Sequence, residues 1–184
     1  SSRASSGEGG GRYRALVETS PFGIWEEDYS SVKRLIDRLR REGIRDIGHY
    51  LSNYRDVLLE TVKAITLLDV NEAGWKICRA NSKEELLRYD ANVNSLQSDS
   101  WSDYYIKEIA GLADGDGNFV GEFTEDTLDG SEIEVRCILN VLEGHEDTWD
   151  RVITTIEDIT GRRKGEAALQ MTQVSVDQAA RSIC

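Results

Sequence analysis

Three thiols, two imidazoles and a surplus of carboxylates are the groups in this sequence that could carry chemistry, and their spacing limits what they could do. Cys78, Cys137 and Cys184 are odd in number, widely separated and outside any CxxC pattern, so neither a zinc site nor a disulfide framework is expected. A haem needs an axial ligand. The two histidines stand in a helical stretch (His49) and a turn (His145), so no haem is expected. Acidic neighbours such as Glu26-Glu27 and Glu84-Glu85 read as solvated faces or helix starts rather than acid–base dyads. Gly115-Asp-Gly-Asn118 lacks the glycine spacing and the lysine of a phosphate-cradling loop. With no catalytic constellation and no metal site, the chain reads as non-enzymatic. The most pointed single residue is Arg151, a cation among Trp149, Val152 and Ile153, which must leave the sheet or meet an anionic ligand.

The elements that would position these groups converge on Asp147 to Leu169. Val152-Ile-Thr-Thr-Ile156 is β-branched throughout and suits a half-buried strand, predicted to run from Trp149. It passes through Glu157-Asp-Ile-Thr160 into Arg162-Arg-Lys-Gly-Glu-Ala-Ala-Leu169, which favours helix. Thr160 is placed to cap that helix. Arg162, Arg163 and Lys164 crowd the end where the helix dipole disfavours cations, within reach of Glu157 and Asp158. A strand in a sheet continuous with an emerging helix couples the two mechanically. Asp158, Thr160 and Arg162 are therefore the expected transmission residues.

Upstream, Ser1 to Gly11 is Ser/Gly-rich and expected to be a disordered tail, and a short helix over 12–19 ends before Ser20-Pro21. A first strand follows over 22–27. Residues 30–65 read as an inserted helical hairpin: Val32, Leu35, Ile36 and Leu39 make one stripe stopped near Gly43, and Ile47 to Val62 makes a second, capped by Asp46. Its cations, Lys33, Arg34, Arg38, Arg40, Arg41 and Arg45, form a basic patch that reads as a solvated outer face or an acidic partner's surface. A second strand over 64–70 leads to short helices capped by Asn71 and by the Ser82-x-x-Glu85 capping box. Ser100 is the predicted cap of a helix with Trp101, Tyr104, Tyr105, Ile109 and Leu112 on its apolar face. Asp129-Gly130 joins two further strands, the later alternating Ile133, Val135, Cys137, Leu139 and Val141 against polar residues.

Asp158-Ile159-Thr160 with Arg162 resembles the "D-I-T-x-R" ending of PAS domains, sensory modules of bacterial signalling proteins. Tyr13 to Trp25 resembles their opening, and Leu67 to Ala73 with Ser82 to Leu86 resembles their second strand and short helices. The likeness spans roughly Arg12 to Leu169 and departs from the pattern at the insertion. It implies an α+β fold, a five-stranded antiparallel sheet with helices on one face, over 12–160, followed by a signalling helix or linker over 161–184 toward a further module. It implies a small-molecule pocket, for which the candidates are Trp75, Cys78, Trp101, Tyr104, Cys137 and Arg151. It also implies a weak homodimer through the flanking helices, Arg12 to Thr19 and Glu166 onward. An effector domain is expected downstream in the same chain, with a sensor histidine kinase as the expected parent and a diguanylate cyclase or a ligand-free dimerisation module as alternatives. Cys78-Arg-Ala-Asn81 is not the reactive-cysteine motif of the light-oxygen-voltage branch, so a covalent flavin is not expected; the cofactor is left open.

Composition sets outer limits. The 184 residues suit one domain with tails. A net charge of −12, from 34 acidic and 22 basic residues, argues against nucleic acid or anionic membrane as a main partner. No apolar run approaches the ~20 residues that cross a bilayer. A reducing, cytoplasmic setting is expected.

Overall fold

The protein is described by a computed structural model over residues 11, 14–88, 99–115 and 117–166. Strand β1 (Gly23–Asp28) is followed by helices α1 (Ser30–Arg41), α2 (Ile47–Asn53) and α3 (Arg55–Lys63), then by β2 (Thr66–Val70). Two short helices, α4 (Glu72–Ile77) and α5 (Lys83–Arg88), and the longer α6 (Asp99–Asp114) lead into β3 (Asn118–Asp126), β4 (Glu132–Val141) and β5 (Val152–Asp158). The strands form one sheet in the order β2-β1-β5-β4-β3, every pair antiparallel. The first and last strands thus meet in the middle, Gly23 opposite Ile156 and Glu27 opposite Val152.

Period-two alternation sets which side chains face inward. In β4, Ile133, Val135, Cys137 and Leu139 are buried while their neighbours are not. These pack with Val152 and Ile156 of β5 against the helices. The Thr127–Ser131 turn between β3 and β4 puts Gly130 at φ 81°, a conformation that favours glycine, and Asp129 accepts from the Ser131 backbone N–H.

Residues 30–65 are a helical insertion, but their second stripe is two helices rather than one. The chain breaks at Tyr54 (φ −124°, ψ 70°), where Asn53 donates to the His49 carbonyl and Tyr54 stacks on Tyr50. The insertion does not project from the domain. Val32, Leu35, Ile36, Leu39, Ile47, Leu51, Leu58 and Val62 are all buried in the same core as Trp101, Ile109 and Leu112 of α6. Two arginines fasten the insertion to that helix: Arg55 donates to Ser102 Oγ (2.8 Å) and Arg40 to the Ala113 carbonyl.

Other expectations shift at element ends. Asp46 and Asn71 cap as predicted, accepting from the His49 and Gly74 N–H groups. Ser82 accepts from the Glu85 N–H, but the Glu85 carboxylate bonds the Asn81 N–H, one residue upstream of the expected reciprocal partner. Ser100 is not a cap, because α6 starts at Asp99 and Ser100 lies inside it. The last strand begins at Val152, not Trp149. Trp149 has φ 53° and its indole is buried, so the backbone there turns through a left-handed conformation before the ladder starts. Residues 1–10 of the expected tail over 1–11 and the helix from Ala167 onward, with Leu169 and Cys184, lie outside the described residues.

Helix α4 lies close on β1. A Cβ on Gly74 would stand 2.5 Å from Val70 Cγ2 and 2.9 Å from Trp25 Nε1. Gly74→Ala is accordingly expected to cost roughly 1–3 kcal/mol of stability through overpacking, read as a lower urea midpoint at unchanged slope.

Candidate functional site: an interior cavity with three carboxyls

Between the sheet and helices α4 and α6 lies a cavity of about 30 Å³, enough for roughly two ordered waters. Every layer contributes to its wall. Trp25 and Glu27 come from β1, Tyr29 from the residue before α1, Ile77 and Cys78 from the end of α4, and Tyr104, Tyr105 and Glu108 from α6. Strands β3, β4 and β5 add Phe123, Glu125, Val135, Cys137, Thr154 and Ile156. The aromatic rings brace one another: Tyr104 lies 3.9 Å from Phe123 between centroids and edge-on to Tyr105 at 5.3 Å.

Three carboxyls from three elements share this apolar space. Glu27 is 6% exposed and Glu108 is 2% exposed; Glu125 is less enclosed. Burial raises Glu108 to about 8 against the bonds from Tyr104 and Tyr29, and the nearby Glu27 adds to the rise. The Tyr29 hydroxyl donates to Glu108 Oε1 at 3.0 Å. Glu27 is raised by burial to about 7, opposed by the bond that Thr154 Oγ1 donates to its Oε2. For Glu125, burial and the neighbouring Asp126 give about 8. Desolvation dominates in each case because no lysine, arginine or histidine lines the cavity among the described residues. The same burial pushes the Cys78 thiol up to about 12 and the Cys137 thiol well above its ordinary range, so neither is poised as a nucleophile.

The six ligand-binding candidates separate. Cys78, Tyr104 and Cys137 line the cavity. Trp101 is buried beside Tyr105 in the main core, and Trp75 packs against the smaller cluster of Val70, Cys78, Ala80 and Leu86; neither lines the cavity. Arg151 is elsewhere altogether. It precedes β5 and its Nε pairs with Glu26 Oε1 at 2.9 Å, so it leaves the core side rather than awaiting an anion there. The reading of Glu26-Glu27 as a solvated pair is right for Glu26 and wrong for Glu27, since alternation along β1 sends the two to opposite faces. Glu108 and Glu125 were not foreseen. The insertion packs on α6, and none of the cavity's wall comes from residues 30–65.

The junction after β5 is built differently from the expected cap. Asp158 Oδ1, not Thr160, accepts from the first helical amide, the Thr160 N–H (2.9 Å). Thr160 Oγ1 instead accepts from the Glu134 N–H of β4 at 2.9 Å, and the Ile159 N–H bonds the Glu134 carbonyl at 2.8 Å. The chain is helical over 160–166. Arg162 and Arg163 pair with Glu122 of β3, not with Glu157 or Asp158, because the helix leaves across the sheet rather than back along β5. Both ends of the exit are therefore tied to the two strands that also wall the cavity.

No family model and no curated protein matches the chain. Among solved structures it is similar to the PAS domain of a Colwellia psychrerythraea protein, at 13% identity and a TM-score of 0.53, covering 82% of this chain and 97% of that one. It is also similar to an RNA-binding light-oxygen-voltage receptor, at 14% identity and a TM-score of 0.58, covering 95% of this chain and 40% of that one. Sheet order, helix placement and these likenesses agree: the chain has the PAS fold, with a helical insertion between its first two strands.

Proposed function

We propose that this domain is a sensory module. It binds a small ligand in the cavity between the sheet and α6, and it passes its state through Asp158, Thr160 and Arg162 to an effector in the same chain. The carrying observation is continuity: Thr154 and Ile156 of β5 wall the cavity, and the chain reaches Asp158 two residues later. A ligand that displaces β5 or β4 by a fraction of an ångström must alter the Thr160–Glu134 bond or the helix start beyond it. A sensor histidine kinase is the favoured parent and a weak homodimer the favoured assembly. Cytoplasmic location follows from the same reading.

The decisive experiment is Asp158→Ala in the full-length protein. Loss of the bond to the Thr160 N–H costs about 0.5–2 kcal/mol, too little to unfold the domain, while basal or stimulated output changes several-fold. If both outputs stay at wild-type levels with the fold intact, the junction is a passive connector. A ligand-free spacer role is favoured by one observation, the cavity's small volume, and native mass spectrometry of the purified protein separates the two by retained mass.

A further inference from the structure

We infer that the cavity takes a small organic ammonium ion, seated against Glu27 and Glu108 within the aromatic wall of Trp25, Tyr29, Tyr104 and Tyr105. This names the ligand class for the sensory reading above and rests on it.

The wall is built of acceptors without donors of positive charge. Glu27, Glu108 and Glu125 arrive from β1, α6 and β3, and no basic side chain lines the cavity among the described residues. Glu27 is 94% removed from solvent by its 6% exposure, and only its Oε2 has a partner; among the described residues Oε1 has none. Glu27 lines the cavity, where a bound donor would pair with that oxygen. Glu125 likewise has no hydrogen-bond partner among the described residues. An anion would meet carboxyls, and a purely apolar guest would leave them unpaired. A metal ion is disfavoured too, because no group of three or more ligating side chains stands close enough to hold one among the described residues. Aromatic rings around carboxyls suit an organic cation, which gains from ring quadrupoles as well as from charge. The volume admits a head of one or two heavy atoms, any longer tail requiring the wall to part.

Binding has a proton balance. Glu27 faces Glu108, Tyr29, Tyr104, Tyr105, Cys137 and Glu125 from the surrounding elements, none of them cationic. A carboxyl protonated in the empty cavity must release its proton to solvent as the ammonium ion pairs with it. Affinity therefore rises with pH where that carboxyl titrates, while the amine itself stays charged.

Calorimetric titration of the folded domain with ethylammonium chloride tests this, against ethanol as the neutral isostere and sodium chloride for ionic strength. Ethylammonium is expected to bind with affinity rising toward tenfold per pH unit between pH 6 and 7, to release protons in buffers of differing ionisation heat, and to bind at least tenfold more weakly to Glu27→Gln and Glu108→Gln. Proton release by the wild type decides the matter should either variant fail to fold. Equal or better binding of ethanol or sodium, or affinity indifferent to pH, overturns the ammonium assignment and leaves a sensor for another ligand. No binding by any probe, with no mass retained on purification, overturns both.

Discussion

Leu51→Ala lowers the unfolding free energy by about 2–5 kcal/mol, the range for emptying a core leucine site. Leu51 belongs to the insertion, which interrupts the pattern of the fold, yet it is 0% exposed and shares one core with α6. Urea denaturation at pH 7 is the measurement. A loss below about 1 kcal/mol would mean the insertion is a dispensable lobe, whatever its contacts. A full-sized loss in one cooperative transition means that the helices of residues 30–65 and the sheet unfold together.

Stability falls as pH rises from about 5 to 8, and Glu108→Gln flattens the fall. Burial holds the folded pKa of Glu108 and Glu125 near 8 and of Glu27 near 7, above the unfolded value of 4.5. Between those limits the native state binds more protons than the unfolded state, so each pH unit costs up to about 1.4 kcal/mol per group. The contribution is complete below the unfolded pKa and is lost as pH climbs through the folded one. Glutamine resembles the protonated acid and cannot ionise, so the variant should gain several degrees in Tm at pH 8 and little at pH 5. Asp129 and Asp150, whose hydrogen bonds hold them near 2, act oppositely and only at the acid end, outside this window. Parallel wild-type and variant profiles would show that Glu108 is ionised and solvated in the native protein.

Why the sheet was legible and the cavity was not comes down to what alternation was asked. Residues 132–141 displayed their buried face directly, and the resemblance at Asp158-Ile-Thr160 placed the last strand. The three glutamates obeyed the same periods: Glu27 shares parity with Trp25, Glu125 with Phe119 and Phe123, and Glu108 stands four residues from Tyr104 and three from Tyr105. The signal was present, but a carboxyl on an apolar face was read as solvated because burial of an uncompensated charge is costly. Raised carboxyl pKa values and bonds from Tyr29 and Thr154 offset that cost, and the bonds depend on tertiary contacts 79 and 127 residues apart in sequence. Which alternative Arg151 takes was illegible for the converse reason. Its neighbours in sequence were apolar, and its partner, Glu26, lies on a strand more than a hundred positions earlier.

The meeting of first and last strands at the sheet's centre also bears on how the chain is made. β1 leaves the ribosome before its partner β5, which is finished only after some 130 further residues, roughly 7 to 26 seconds of synthesis. Through that interval one edge of β1 has no native partner, a template on which nascent chains could pair. Its Glu26-Glu27-Asp28 run is charged at neutral pH while it remains in water, which discourages such pairing. The carboxyl of Glu27 that later sits in the cavity thus guards the strand first and is pushed toward its neutral form only when β5 pairs beside it.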